Sequence, residues 1–391
     1  MRHIHPFPAR MAPDIALSKI EALAEGEIVL DPMAGSGMVL GQAAKNGFKS
    51  IGYDLDPLAR IISRAGATRV NAALAEEALN RLISKCKESR KGKVLLDWID
   101  TDEETSSFVD YWFYPKQQDQ LRSLSHYLLV EPVSENQKIL DILKISLSRL
   151  IITKEPKASL ARDTAHSRPH RTITENDFDI FDALPKSLDH VLKALDPSSI
   201  QVNTKTYLGD ARKMERIKDS SIDSIITSPP YLNAIDYMRG HKLSLVWFGY
   251  TLDQLRSIRG TSIGSERAGG NKFAKEFSAA LQLLALDELS NRNKNMLNRY
   301  FCDLVIQLQE SFRVLKPNCK ATYVIGNSTL KGSYIQNSEL LKIAGRLVGF
   351  GVDDETIRDI PNNRRYLPIS VGQGNSLAKR MRTENIIEFV K

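Results

Sequence analysis

Glu27-Ile28-Val29-Leu30-Asp31-Pro32-Met33-Ala34-Gly35-Ser36-Gly37 opens with a short apolar run and breaks into a glycine-bearing turn. Residues 38 to 46 then carry helical periodicity, and Gly47 is placed to cap them. Lys49-Ser50-Ile51-Gly52-Tyr53 reads as a second strand that runs into Asp54. Pro57 suits the first turn of a further helix over 57–65. Strand, glycine turn, helix, strand and acid make one half of a doubly wound nucleotide-binding unit.

The glycines and the acid narrow the ligand. Gly35 and Gly37 let backbone approach a bound molecule where a side chain would block it. Asp54 stands 23 positions after Asp31, a separation that suits the two hydroxyls of a ribose. A tight strand-to-helix connection is the plainer reading of the glycines taken alone. The spacing Gly35-x-Gly37-x-x-x-Gly41 differs from the Gly-x-Gly-x-x-Gly of dinucleotide enzymes, which points to a nucleoside with a shorter tail and away from a nicotinamide-dependent oxidoreductase.

Outward from this unit the chain falls into three blocks. Residues 1–62 form an α/β cofactor half. Residues 63–200 read as a mostly helical insertion, with helices near 71–88, 117–129 and 135–151 and an aromatic cluster, Trp98 to Tyr114, between them. The insertion is a candidate for target recognition. Residues 201–391 return to an α/β pattern. Strands are expected near 201–207, over Ser221–Ile226 and over Ala321–Ile325, and a long helix over 293–315 is expected to stop at Pro317. Late strands near 355–360 and 384–390 are expected to pair antiparallel at the sheet edge.

The most specific signal is Thr227-Ser228-Pro229-Pro230-Tyr231, directly after a strand. Two prolines fix two φ angles and remove two N–H donors, so the loop presents carbonyls and the Ser228 hydroxyl as acceptors. An aryl amine needs such a site, because its lone pair is delocalised into the ring and must be localised and aimed. Tyr231 offers a face on which an extruded base can stack.

These stretches resemble the motifs of S-adenosylmethionine-dependent DNA amino-methyltransferases. Asp31 to Gly37 is similar to that family's cofactor motif, and Thr227 to Tyr231 to its catalytic motif. His5-Pro6-Phe7-Pro8-Ala9-Arg10 resembles the segment that closes over the methionine end of the cofactor, and Gly209-Asp210-Ala211 the motif whose acid lies near the adenine. The resemblance implies a Rossmann-like class I methyltransferase: an α/β, doubly wound, seven-stranded, mostly parallel sheet, here with a largely helical insertion. It implies S-adenosylmethionine bound through His5, Pro6, Phe7, Asp31, Pro32, Gly35, Ser36, Gly37, Asp54 and Asp210, and no metal. Ser228, Pro229, Pro230 and Tyr231 would carry catalysis without a covalent enzyme–base intermediate. Serine before Pro-Pro-Tyr resembles the cytosine-N4 branch; aspartate or asparagine is commoner in the adenine-N6 branch. Met38 stands where the family usually has threonine.

The implied partner is double-stranded DNA with its target base flipped, and a cognate restriction enzyme is a candidate second partner. A net charge of +7 over 391 residues favours a polyanion. RNA amino-methylation and a catalytically decayed nucleic-acid-binding scaffold are the competing readings. Three scattered cysteines, Cys86, Cys302 and Cys319, give no disulfide framework and no cysteine nucleophile motif. The lack of a long apolar run or an apolar leader suggests a cytoplasmic protein without membrane contact. Three weaker candidates remain: Asp236 to His241 beside the catalytic loop, the Arg- and His-rich stretch 162–171, and Arg364-Arg365-Tyr366.

Overall fold

The computed structural model describes residues 3–7, 11–88, 94–195, 203–232, 236–264, 272–286, 288–330, 333–360 and 383–391. Pro8-Ala9-Arg10 and Arg364-Arg365-Tyr366 lie outside the described residues. The main sheet has seven strands: β1 (Ile28–Asp31), β2 (Lys49–Asp54), β3 (Thr204–Leu208), β4 (Ile222–Thr227), β5 (Leu315–Gly326), β6 (Gly351–Asp359) and β7 (Thr383–Val390). Their order is β6-β7-β5-β4-β1-β2-β3. Strands β3, β2, β1, β4 and β5 run parallel, and β7 lies antiparallel between β5 and β6. The expected doubly wound, mostly parallel sheet is therefore present, with the late strands paired at its edge.

Alternation along the strands sends side chains into two layers. Leu30, Ile225, Tyr323 and Ile325 face a core completed by the helices Asn291–Val314, Ala274–Leu283 and Asn337–Val348. Val29, Ile226 and Val324 face the other way, onto the helices Pro13–Ile20 and Met38–Lys45. A third core belongs to the helical block, where Ala72–Glu88, Glu103–Trp112, Pro115–Ser125, Gln137–Ile151 and Ile180–Ala194 pack together. This core takes in helix Pro57–Gly66 and the segment Met238 to Leu255, which pack on each other.

The chain order reverses between β1 and β4, neighbours paired in parallel through Val29–Ser224 and Leu30–Ile225. A crevice opens outside the carboxyl ends of strands at such a switch point, and ligands of open α/β sheets bind there. The glycine turn leaves β1 and the proline loop leaves β4 at this place.

Three details depart from the sequence reading. The long helix ends at Val314, three residues before Pro317, and β5 begins at once. Pro317 instead occupies an irregularity in which the pairing jumps from Ile222–Leu315 to Ser224–Lys320, a position where a missing N–H costs no ladder bond. The aromatic stretch Trp98 to Tyr114 is helical over Asp97–Asp100 and Glu103–Trp112, each helix starting from an extended residue, the second capped by Asp102. Helices at Ile180–Ala194, Leu252–Thr261 and Asn337–Val348 add to those expected.

Candidate active site

The glycine corner is held from below by a buried acid. Asp31, at the end of β1, is 3% exposed. Its Oδ1 accepts hydrogen bonds from the Met33 N–H at 3.1 Å and the Thr227 hydroxyl at 2.7 Å. Burial pushes its carboxyl up to about 7, against those two bonds. Asp54, at the end of β2, accepts from the Gly35 N–H at 2.7 Å and the Asp56 N–H at 2.9 Å. Burial, then the neighbouring Asp56 charge, lifts it to about 7 as well. Asp54 thus fixes the turn it faces, and each of its oxygens keeps a lone pair for a hydroxyl donor.

The two glycines differ. Gly35 has φ +47°, and a Cβ there would sit 3.5 Å from the Phe7 ring. Gly37 has φ +74°, and its Cβ would fall 2.5 Å from the Ser63 Cα. Close approach of helix Pro57–Gly66 therefore requires glycine at 37, a packing reason that stands beside the expected ligand approach at that position. Pro32 is buried beside Asp31, while Ser36 is half-buried at the turn's crest.

The proline corner is held by different means. Ser228 donates its hydroxyl hydrogen to the Val324 carbonyl at 2.9 Å. That bond spends the Ser228 hydrogen, and the Tyr231 phenol also hydrogen-bonds with Ser228, which leaves one oxygen lone pair as an acceptor. Pro229 is buried and Pro230 half-buried, and Tyr300, fully buried on the long helix, donates to the Pro230 carbonyl at 3.0 Å. The Tyr231 ring lies against the backbone of Gly326, whose Cβ would meet the ring at 2.9 Å. Burial pushes the Tyr231 phenol up to about 12. Thr227, fully buried, joins this corner to the other through Asp31.

The N-terminal segment folds over the glycine corner. Phe7 is stacked on Tyr237, with ring centroids 5.0 Å apart. His5 is buried, with Nε2 2.9 Å from the Ser148 hydroxyl, and Pro6 is half-buried between them. Behind Phe7 lies a pair that sequence reasoning did not identify: His241 Nδ1 stands 2.5 Å from Asp56 Oδ2. His241 is 1% exposed, and its Nε2 has no hydrogen-bond partner among the described residues. Asp56 also caps helix Pro57–Gly66 through the Leu58 and Ala59 N–H groups. The sequence offered one clue, His241 in the flagged stretch after the catalytic loop.

Asp210 follows β3 on the same edge, and the Gly209 N–H bonds the Asp54 carbonyl at 3.0 Å. Its carboxylate is taken up by Arg212, with contacts of 2.7 to 3.1 Å, and Arg212 also reaches Asp303. In the stretch 162–171, Ala161–Arg162 and His170–Arg171 form a small antiparallel ribbon. Its turn is anchored by the buried Thr164 and packs on Gly240. Asp236 pairs with Arg239 and Arg259.

The corners at Asp31–Gly37 and Thr227–Tyr231, on adjacent parallel strands and bonded to each other, invite comparison with known proteins. No family model matches the chain. M.BsoBI of Geobacillus stearothermophilus, a type II methyltransferase, is 24% identical over 382 aligned positions, covering 84% of this chain and 74% of that protein. The type II methyltransferase M.MvaI of Kocuria varians is 21% identical, covering 84% and 77%. The chain is a homologue of the type II methyltransferases. A third homologue, M.MjaII of Methanocaldococcus jannaschii, is 22% identical, with 70% of this chain and 66% of that protein aligned. Among solved structures, an S-adenosylmethionine-dependent methyltransferase from Methanosarcina mazei superposes with a TM-score of 0.36 and 9% identity, covering 98% and 99%. That superposition is too loose to add to the strand order. Among the described residues no helix is long and apolar enough to cross a membrane, and no group of three His, Cys, Asp or Glu side chains is placed to hold a metal.

Proposed function

We propose that this homologue methylates an exocyclic amino group of a base in DNA, cytosine N4 in the first instance, with S-adenosylmethionine as donor. The observation that carries the reading is the Thr227–Asp31 hydrogen bond. It ties the acceptor loop to the glycine corner across the switch point, so a methyl group held over one faces an amine held by the other.

The donor fits the residues present. Asp54 has acceptor capacity for two ribose hydroxyls, and His5, Pro6 and Phe7 cover the turn at Gly35. Pro32 and Asp31 form its floor, Ser36 its rim, and Gly37 sets its packing. Asp210, paired with Arg212, would hold the adenine end. When bound, the sulfonium supplies an electrophilic methyl group; the protein's own contribution is positioning. The Ser228 oxygen and the Pro229 carbonyl accept the two amino hydrogens and localise the nitrogen lone pair. The Tyr231 ring, backed on one face by Gly326, offers the other to the flipped base. Residues 1–62 and 201–391 then form one catalytic domain, with 63–200 as an insertion that contributes to target recognition. A cognate restriction enzyme fits this reading, and so does a cytoplasmic setting.

The test is to incubate purified protein with labelled donor and either DNA or bulk tRNA, and to identify the modified base by mass spectrometry. N4-methylcytosine in DNA is expected. N6-methyladenine would move the assignment to the other branch. Label in tRNA alone would overturn the DNA reading, and no donor binding by calorimetry would leave only a nucleic-acid-binding scaffold.

A further inference from the structure

Helix Pro57–Gly66 also borders a cavity of about 290 Å³ that none of the donor or catalytic residues named above lines. Its walls include Arg60, Arg64, Asp141, Lys144, Leu208 and Tyr250. Leu208 ends β3, so the cavity opens near the carboxyl edge of the sheet that carries the site. Helix Gln137–Ile151 of the helical block supplies Asp141 and Lys144.

The charges in this cavity do not cancel. Asp141, the one acid among the lining residues, is 1% exposed and already engaged. Arg64 grips both of its oxygens, at 2.5 and 2.7 Å, and the Gln137 amide donates to it at 2.9 Å. Among the described residues Arg60 hydrogen-bonds the Thr206 carbonyl, at 3.4 Å, and feels Asp141 through space. Lys144 makes no hydrogen bond or ion pair among the described residues and feels Asp141 only through space. Burial lowers both Arg60 and Lys144 from their ordinary values. Two half-buried cations without a carboxylate partner are costly unless an anion joins them. Guanidinium, ammonium and the Tyr250 phenol are all donors, the set that suits the acceptor-only oxygens of a phosphate.

We propose that this cavity binds a phosphate group, supplied in the working enzyme by a phosphodiester of the substrate strand. The phosphate chemistry stands on the cavity alone, and the choice of strand rests on the DNA reading. Bound there, a phosphodiester would connect the helical block to the catalytic domain through one anion.

The experiment compares wild type with the double variant Arg60→Gln, Lys144→Gln and with the charge-keeping Arg60→Lys. DNA affinity is followed by fluorescence anisotropy against salt. The double variant should lose about one unit of the slope of log affinity against log salt, and Arg60→Lys should keep it. S-adenosylhomocysteine binding, read by calorimetry, should stay intact in both variants and reports that they are folded. Inorganic phosphate and a nucleoside monophosphate are titrated in parallel by thermal shift. If phosphate stabilises wild type but not the double variant while the DNA slope is unchanged, the pocket takes a free phosphate compound and the strand assignment is overturned. If neither readout responds, or if S-adenosylhomocysteine displaces phosphate, the proposal is overturned. Phosphate binding by a wild-type protein that binds no DNA would keep the pocket and sink the DNA reading instead.

Discussion

The two corners at the head of the sheet solve the same problem with different physics. The glycine corner is organised by acids: Asp31 and Asp54 are buried carboxyls that hold backbone N–H groups, and burial raises both to about 7. The proline corner contains no ionised group. It is organised by stiffness, with two prolines, a Tyr231 ring on Gly326, and hydroxyls of Ser228 and Tyr300 spent on carbonyls. The lesson is a division of labour. A corner that grips a cationic donor with a diol profits from carboxylates, whereas a corner that must aim a neutral amine profits from fixed acceptors that do not themselves titrate.

The largest effect that would break this contrast is steric. Gly37→Ala forces a Cβ into the Ser63 backbone at a left-handed φ, which should cost about 2–5 kcal/mol. Chemical denaturation should register it together with lost donor binding. Gly35→Ala shares a left-handed φ but meets the Phe7 ring at an ordinary 3.5 Å, so it should cost less. Equal losses at the two positions would mean that packing does not distinguish them.

The next effect separates the corners functionally. Ser228→Ala should lower kcat roughly 10- to 100-fold, the worth of one well-placed acceptor, while donor affinity by calorimetry moves less than about twofold. A matching fall in donor affinity would erase the division of labour.

The pH dependence should sharpen it further. A ribose diol donates to a carboxylate, so donor affinity should rise with pH up to about 7, the value to which Asp54 is raised, and level off above it. Stability without donor should move the other way. Asp54 and Asp31 hold protons in the folded state that the unfolded chain has already released, so stability falls as pH climbs from about 4 to about 7. Asp54→Asn should flatten the affinity curve and weaken binding about tenfold. An unchanged curve in that variant would move the titration to another group.

The smallest effect is at Tyr300. Tyr300→Phe removes the bond to the Pro230 carbonyl and should cost about 1 kcal/mol of stability and a few-fold in kcat, with donor affinity untouched.

What the sequence made legible is local. A glycine turn after a strand, an acid at the next strand's end and a Ser-Pro-Pro-Tyr loop constrain the backbone within a few residues, and each is found at the expected edge. Contacts across long separations were not legible. Thr227 and Asp31 lie 196 positions apart, and His241 and Asp56 lie 185 apart; nothing in either neighbourhood names the partner. The packing role of Gly37 was hidden because a positive φ and a helix crossing leave the same trace in a sequence as ligand access. Pro317 misled for a related reason: proline marks a break in hydrogen bonding, and a break inside a strand looks like the end of a helix. The Asp210–Arg212 pairing was equally hidden, since the chain shows two charges one residue apart without showing that they close on each other.

The strand order carries a consequence for how the chain assembles. β7 is the last of the seven strands in sequence, yet it fills the gap between β5 and β6. During synthesis β6 emerges with its neighbour still unmade, and its 9 residues cannot join the sheet until residues 383–390 arrive. The parallel half, from β3 to β5, needs no such wait. The nascent protein should therefore acquire its catalytic edge before it seals its far flank, and that late seam is where a ribosome-bound intermediate would be most exposed to chaperones.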